Sequence, residues 1–182
     1  YVSVGGPTER TADRANRLYV NQGTGDDGVP TFEERADAYG IADSSYTTHS
    51  AFFDADQDGD LDLYVLNTAT VRRRGEPQRG ASGSNVDRLY RNEGDGTFAD
   101  VSDEAGITDP GYGLGIAIGD VNDDGWPDIY AANDLDTNDL LYINDGDGTF
   151  TNRTRQYLDH LSYSAMGVDV ADVNNDARQD IL

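Results

Sequence analysis

Short apolar segments alternate with polar stretches rich in glycine, aspartate and asparagine along the chain. "LLYIN" at 140–144 and "GLGIAIG" at 113–119 are short for helices but have the length of strands. "DGDG" at 145–148 is typical of a tight hairpin turn, because glycine adopts a positive φ without steric cost. "TFTNRT" at 149–154 then alternates apolar and polar residues, as a returning strand does. The pattern predicts an all-β chain, with one short helical turn in "VSDEAGI" at 101–107.

One motif occurs three times, as "RLYVNQGTG" at 17–25, "RLYRNEGDGTF" at 88–98 and "LLYINDGDGTF" at 140–150. An aspartate-rich stretch closes each repeat, and repeats of this size indicate stacked supersecondary units. We therefore treat 1–182 as part of one domain. Its predicted repeat units cover approximately 1–63, 64–129 and 130–182, with an inserted Gly-, Ser-, Arg- and Pro-rich loop at 68–84.

The spacing of the units predicts the architecture. The aspartates that open the last two acidic stretches, Asp120 and Asp172, are 52 residues apart, and four strands in that length match one β-propeller blade. We expect a β-propeller segment of about three four-stranded blades with acidic hairpin loops. A β-sandwich or a solenoid with acidic turns is the alternative. Apolar outer faces would be covered by remaining blades of a longer chain or by self-association.

Composition restricts the partners. The chain carries 35 Asp and Glu residues against 13 basic residues, a formal net charge of −22 at pH 7. Such a charge repels nucleic acids and anionic lipids, so we expect no nucleic-acid partner. The absence of cysteine excludes disulfides and thiolate metal sites. Without an apolar run of transmembrane length, we also expect no membrane insertion.

Three acidic stretches share one spacing of oxygen-bearing side chains: "DADQDGDLD" at 54–62, "DVNDDGWPD" at 120–128 and "DVNNDARQD" at 172–180. Counted from the first aspartate, side-chain oxygens fall at positions 1, 3, 5 and 9, and position 7 offers its backbone carbonyl. Position 6 is a turn glycine, except that Ala177 takes its place in the third stretch and is strained if its φ is positive.

A cage of carboxylates and one carbonyl favours Ca²⁺, which takes six to eight oxygen ligands. Mg²⁺ retains its waters, and Zn²⁺ prefers the Cys and His ligands that these stretches lack. We therefore predict about three calcium ions. The predicted side-chain ligands are Asp54, Asp56, Asp58, Asp62, Asp120, Asn122, Asp124, Asp128, Asp172, Asn174, Asp176 and Asp180, and the predicted backbone carbonyls are those of Asp60, Trp126 and Arg178.

The sequence argues against two other kinds of site, an EF-hand and an enzyme active site. An EF-hand needs a glutamate at position 12 and flanking helices, whereas Val65 and Ala131 stand there between strand-like segments. No catalytic constellation is recognisable, because no Gly-x-Ser-x-Gly motif occurs and the only histidines, His49 and His160, are isolated. We expect no enzymatic activity and no catalytic residue.

The acidic pattern after a small-residue strand, together with "LYxNxGDGTF", resembles the FG-GAP/VCBS repeat family. Its best-known members are the integrin α propellers. The "LYxNxGDGTF" motif is more similar to bacterial VCBS-type and cartilage-acidic-protein-like members than to integrins. "YVLN" and "YAAN" stand where integrins have "GAP", which argues against integrin-style ligand binding. The resemblance covers the whole chain. It implies propeller blades, structural calcium loops and an extracellular or cell-surface setting.

The expected function is therefore that of a calcium-binding, non-enzymatic propeller segment of a secreted or cell-surface protein, serving adhesion or recognition of a protein or glycan ligand. Two alternatives remain open. The first is a carbohydrate-binding, lectin-like propeller, and the second is an accessory region of a larger secreted enzyme such as a polysaccharide lyase.

Overall fold

The fold is given by a computed structural model that describes residues 1–5, 11–68, 85–134 and 137–182. Over these residues the chain forms twelve β-strands in four antiparallel sheets, a 3₁₀ helix at Thr11–Arg14 and a short α-helix, α1, at Thr154–Tyr157. The predicted all-β fold is confirmed. The predicted inserted loop at 68–84 lies outside the described residues, apart from Thr68.

The strands are short, as the apolar segments predict. In chain order they are β1 Tyr19–Thr24, β2 Pro30–Glu34, β3 Thr47–Phe53, β4 Asp62–Asn67, β5 Arg88–Asn92, β6 Phe98–Asp100, β7 Gly113–Gly119, β8 Asp128–Asn133, β9 Leu140–Asn144, β10 Phe150–Asn152, β11 Val170–Ala171 and β12 Asp180–Ile181.

Each of the two central sheets is a four-stranded meander in which every strand pairs with the next, in the orders β3-β4-β5-β6 and β7-β8-β9-β10. This is the form of a propeller blade. The other two sheets, β1-β2 and β11-β12, have two strands each. The described strands are therefore divided two, four, four and two. The predicted unit boundaries at 63/64 and 129/130 fall inside β4 and β8. A unit that ends with its acidic stretch leaves the strand before that stretch in the preceding unit, whereas each four-stranded sheet begins with that strand.

The acidic stretches connect adjacent antiparallel strands. Phe53 pairs with Asp62, Gly119 with Asp128, and Ala171 with Asp180. In each case the residue before position 1 faces position 9 across the ladder. The first two stretches join the first and second strands of a four-stranded sheet, and the third joins β11 to β12.

The two four-stranded sheets pack against each other over one hydrophobic core. β4 and β8 are buried at all six of their positions, because each sheet is covered on both faces. Tyr64 and Tyr142 are both 0% exposed within this core. Burying a large apolar side chain contributes about 1.5–3 kcal/mol, so these side chains hold the blades together.

Glycine in β7 permits the close approach of the two sheets. A Cβ built on Gly113 would lie 2.4 Å from Cγ and Cδ1 of Leu66 and 2.9 Å from the carbonyl oxygen of Asn67. The Thr48 hydroxyl donates to the Gly113 carbonyl at 2.6 Å across the same boundary. Gly113 therefore permits the close contact of β7 with β4 at this point.

The segment 101–107 forms a single hydrogen-bonded turn, as the sequence predicts. The Ala105 N–H donates to the Val101 carbonyl at 2.7 Å and the Ile107 N–H donates to the Ser102 carbonyl at 2.8 Å. Gly106 ends the turn with a φ of 79°. The predicted stop at this glycine matches the backbone.

A buried tyrosine–aspartate pair recurs in both four-stranded sheets. The Tyr64 hydroxyl donates to Asp87 Oδ2 at 2.6 Å, and the Asn67 N–H donates to Asp87 Oδ1 at 2.8 Å. Tyr130 and the Asn133 N–H bind Asp139 in the same way, both at 2.8 Å. Burial raises the pKa of Asp87 to about 7, although both hydrogen bonds oppose the shift.

Large apolar side chains are exposed at both ends of the described structure. Phe32 on β2 is 57% exposed, and Tyr163 and Met166, which follow α1, are 78% and 75% exposed. None of the described helices is long and apolar enough to cross a membrane.

Candidate metal centre

Each acidic loop is folded by hydrogen bonds from its own backbone to its own side chains. In all three loops one carboxylate oxygen of the position 1 aspartate accepts the N–H of position 6. The donor–acceptor pairs are Gly59 to Asp54 at 3.2 Å, Gly125 to Asp120 at 2.8 Å and Ala177 to Asp172 at 2.8 Å. The position 5 aspartate accepts the N–H of position 7 in each loop, at 2.8–3.0 Å. Loops with the same spacing thus have the same local geometry.

The backbone reverses through two left-handed residues per loop, at positions 4 and 6. Position 6 has a φ of 95° at Gly59 and 91° at Gly125, and a Cβ on either glycine would meet nothing within 4 Å. The conformation, not the available space, therefore favours glycine. Ala177 has a φ of 67°. A left-handed conformation costs a non-glycine residue roughly 1–2 kcal/mol, so the third loop is strained as anticipated.

Three carboxylates converge in the first loop. One oxygen from each of Asp54, Asp56 and Asp58 lies within 4.8 Å of the others. Each pair of unit charges at 4.8 Å repels by about 1 kcal/mol in bulk water and by roughly 3.5 kcal/mol at an effective dielectric constant of 20. A cation bound among them would convert this repulsion into attraction.

The first loop also contains a buried oxygen without a partner. Oδ1 of Asp54 is shielded from solvent and accepts no hydrogen bond, whereas Oδ2 accepts the Gly59 N–H. A buried carboxylate oxygen without a donor is costly, and such groups are normally satisfied by a proton donor or a cation. The donor set of the first loop therefore fits a hard divalent cation.

Position 9 has a structural role that sequence reasoning missed. Oδ2 of Asp62 accepts the Ala55 N–H at 2.9 Å, and Oδ1 accepts the Asn92 N–H at 2.8 Å. Asp128 repeats this with Val121 and Asn144, both at 2.9 Å. The aspartate thereby ties the start of the loop to the third strand of its sheet.

These two aspartates are 1% exposed. Burial raises the pKa of Asp62 and of Asp128, against the effect of their backbone hydrogen bonds, and the nearby loop carboxylates raise both further. Each oxygen keeps a second lone pair after its hydrogen bond. Both residues remain compatible with metal ligation, although Asp62 does not belong to the group formed by Asp54, Asp56 and Asp58.

The second and third loops differ from the first at position 3. Oδ1 of Asn122 accepts the Asp124 N–H at 3.1 Å, and its Nδ2 donates to Asp124 Oδ2 at 2.7 Å. Oδ1 of Asn174 likewise accepts the Asp176 N–H at 2.9 Å. An amide at position 3 thus reduces the charge of the loop. The carbonyl ligands predicted at positions 7, including Trp126 and Arg178, remain predictions.

Neighbouring loops contact each other. Nε2 of Gln57 in the first loop donates to the Gly125 carbonyl in the second at 2.6 Å. Nε of Arg178 in the third loop lies 3.7 Å from Oδ2 of Asp123 in the second. The second loop therefore contacts both the first and the third.

A groove of about 440 Å³ lies beside the first loop, where the two four-stranded sheets meet. Its rim carries Asp56, Arg91, Glu104 and Asp147, and Phe150 contributes to its apolar lining. Arg91 is already paired with Glu93 at 2.8 Å. The two histidines, His49 and His160, do not line this groove, and both are exposed.

Comparison with known proteins agrees with this architecture. The family described as FG-GAP-like repeat matches residues 80–131 and 120–182, which together exceed half of the chain. Cartilage acidic protein 1 from Homo sapiens is 48% identical over 46 residues, which are 25% of this chain and 7% of that protein. The chain thus matches only a small part of this relative. The repeated acidic hairpins, the four-stranded sheets and the family match together show that the chain belongs to the FG-GAP-like repeat family.

Proposed function

We propose that this chain is a calcium-binding, non-enzymatic β-propeller segment of a secreted or cell-surface protein that serves adhesion or recognition. The observation that carries the calcium proposal is the first loop. There Asp54, Asp56 and Asp58 converge, and Oδ1 of Asp54 is buried without a hydrogen-bond donor. The other two loops repeat its spacing and its internal hydrogen bonds.

The ligand chemistry supports Ca²⁺ over other divalent ions. The converging groups are carboxylate oxygens, which are hard ligands, and the described loops contain neither the cysteine nor the histidine that Zn²⁺ prefers. Mg²⁺ requires a smaller, near-ideal octahedron. Loops shaped by backbone turns accommodate the larger and more variable shell of Ca²⁺ more easily.

The proposed role of calcium is structural. Each loop joins two adjacent strands, and a cation would cross-link position 1 to position 9 across that hairpin. A ligand that binds only the native state stabilises it by about 2.7 kcal/mol at one hundred times its Kd. Calcium would therefore hold the blades in shape without switching them between two conformations.

The setting is proposed from three observations. The chain belongs to a repeat family, it is similar over a short stretch to a protein named for cartilage, and its net charge of −22 disfavours nucleic acids and anionic membranes. A non-enzymatic role accords with two exposed and separate histidines.

The groove of 440 Å³ favours carbohydrate binding as a second candidate function. Arg91, Glu104 and Asp147 offer hydrogen-bonding groups beside an apolar lining, an arrangement that suits a small polar ligand. A glycan array tests this directly. Specific binding of one glycan class that Glu104→Ala abolishes would establish the lectin function and replace the adhesion proposal.

Isothermal titration calorimetry with Ca²⁺, on protein from which calcium has first been removed with a chelator, tests the main proposal. We expect a stoichiometry near three. The first loop should bind most tightly, since it has four side-chain carboxylates, and the third should bind most weakly, since its turn residue is Ala177. Mg²⁺ serves as the control cation. Absence of calcium heat, or equal binding of Mg²⁺, would contradict the assignment.

A further inference from the structure

Asn144, the last residue of β9, connects two acidic loops from a buried position. It is 1% exposed. Its N–H donates to Asp128 Oδ1 at 2.9 Å, and its Nδ2 donates to the Pro127 carbonyl at 3.2 Å, so it holds the end of the second loop. The same Nδ2 donates at 2.8 Å to the carbonyl of Ala55, which lies in the first loop and in the neighbouring blade.

Ala55 is the residue between two of the converging carboxylates, Asp54 and Asp56. It is 5% exposed, and both of its backbone polar groups are occupied. Its N–H donates to Asp62 Oδ2 at 2.9 Å, and its carbonyl accepts from Asn144. The peptide groups on either side of Ala55 are therefore fixed, one from within its own blade and the other from the next blade.

We propose that Asn144 is a positioning residue for the first metal loop, so that the calcium affinity of one blade is set in part by the neighbouring blade. By holding the Ala55 carbonyl, Asn144 fixes the direction in which the chain leaves position 2 and enters position 3. Asp54 and Asp56 are then held close to the arrangement that a cation needs. This inference rests on the proposed calcium function of the loop.

A second contact across the same boundary acts in the same direction. Nε2 of Gln57 donates to the Gly125 carbonyl at 2.6 Å, at an exposed position. Because coupling between two equilibria is reciprocal, calcium bound to the first loop would in turn strengthen the contact between the two blades. The loop thus joins the blades more firmly when it holds its ion.

The test compares two buried asparagines. Asn144→Ser removes the Nδ2 donor to Ala55 and its longer bond to Pro127, but keeps the backbone N–H that binds Asp128 in the second loop. Asn133→Ser is the matched control, because Asn133 is also 1% exposed and its Nδ2 also donates to two carbonyls, those of Ala131 and Asn138, but at the other end of β8. Both variants should lower the Tm in EGTA. Only Asn144→Ser should raise the Kd of one calcium site, by about tenfold, as loss of a group that orients a metal ligand typically does.

The first loop is identified with a third variant. Asp54→Asn removes a converging carboxylate, so calorimetry should show one site fewer. In that background Asn144→Ser should no longer produce the tenfold change. The same dependence should appear in the rise of Tm on adding calcium, which Asn144→Ser should reduce and Asn133→Ser should leave unchanged.

The outcomes separate this inference from the proposed function. Calcium binding that responds equally to Asn144→Ser and Asn133→Ser would overturn the positioning role and leave the calcium function standing. An effect of Asn144→Ser that persists in full with Asp54→Asn would also overturn it, because the affected site would then be the second loop. Absence of calcium heat in the unsubstituted chain would overturn both.

Discussion

Replacing Asp87 by asparagine should change how the stability of the chain depends on pH. Asp87 is 1% exposed, and burial raises its pKa to about 7 from an ordinary value of 3.8. Below pH 3.8 the carboxyl is protonated in both the folded and the unfolded chain. Between pH 3.8 and about 7 it is ionised only in the unfolded chain. Stability is therefore lost progressively over that interval, and the loss is complete above it.

The size of this loss follows from the shift. One pKa unit corresponds to about 1.36 kcal/mol, so the raised pKa costs at most roughly 4 kcal/mol at pH 8. Roughly 2–3 kcal/mol of this accrues between pH 5 and pH 7. Asparagine does not titrate, so the variant should gain this amount relative to the parent chain over that interval. For a chain of this size the gain corresponds to roughly 5–10 °C in Tm.

The chain itself provides a precedent for the substitution. Asn16 in "ANRLY" occupies the place that Asp87 has in "VDRLY". Its Oδ1 accepts the Val4 N–H at 2.7 Å, as Asp87 accepts the Asn67 N–H at 2.8 Å, and its Nδ2 donates to Thr47 Oγ1 at 2.9 Å. An amide therefore fits this position, although the Tyr64 hydroxyl would have to accept where it now donates.

Urea unfolding of both proteins at pH 5, 6, 7 and 8 in calcium-free buffer provides the measurement, after calcium has been removed with EGTA at pH 8 and the EGTA dialysed away. The raised pKa values of Asp62 and Asp128 affect both proteins alike and cancel in the difference. We expect Asp87→Asn to be less stable than the parent or equal to it at pH 5, and more stable at pH 8. Parallel pH profiles would refute the reasoning, because they would show that Asp87 does not carry this titration.

Three further predictions concern the loops and the blade contact. Asp54→Asn and Asp120→Asn should reduce the calcium-dependent rise in Tm, measured by scanning calorimetry, more than Asp95→Asn does. Asp95 is the control because it lies in a hairpin turn, where it accepts hydrogen bonds from Thr97. Equal losses in all three variants would mean that the acidic loops are ordinary turns. Ala177→Gly should stabilise the calcium-loaded chain by about 1 kcal/mol in urea unfolding, because it removes a left-handed alanine, and a loss of stability would contradict the strain. Gly113→Ala should lower the free energy of unfolding by about 1–3 kcal/mol, because the added Cβ would overlap Leu66. The control Gly167→Ala should have little effect, since its Cβ meets nothing within 4 Å. Equal effects would show that the blade contact tolerates a methyl group.

The strands and the loop geometry could be predicted because both depend on neighbours in sequence. The left-handed turn at Gly59 follows from one residue type, and the hydrogen bond from the Gly59 N–H to Asp54 spans five positions. The sheet boundaries could not be predicted in the same way. A repeat can be counted from any point in its period, and only the pairing of β3 with β4 shows that a blade begins before its acidic loop.

The roles of Asp62 and Asp87 were not predicted because they depend on contacts distant in sequence. Asp62 is bound by the Asn92 N–H, thirty residues away, and Asp87 by Tyr64, twenty-three residues away. A signal for the second contact was present in the repeats. "DLYVLN" and "DIYAAN" are each followed by an aspartate two residues before the next "LY" pair, at Asp87 and Asp139. An aspartate repeated before an apolar strand is as consistent with a buried hydrogen bond to a tyrosine as with a turn.

The hydrogen bonds of the position 9 aspartate determine what removal of the proposed calcium should do. The hydrogen bonds from Ala55 and Asn92 to Asp62 occupy one lone pair on each oxygen and do not involve a cation, so they can persist when the ion is withdrawn. The core around Tyr64 and Tyr142 is built mainly by strand residues, although Ala55 of the first loop belongs to it. The carboxylates at positions 1 and 5 of every loop, joined by Asp56 at position 3 of the first loop, would in contrast regain their mutual repulsion. Chelation should therefore loosen positions 1 to 7 of each loop before it unfolds the blades. Hydrogen exchange should show this as faster exchange at Asp58, Gly59 and Asp60 in EGTA, with the amides of β4 and β8 still protected. Simultaneous loss of protection in loops and strands would mean that calcium is required for the fold itself.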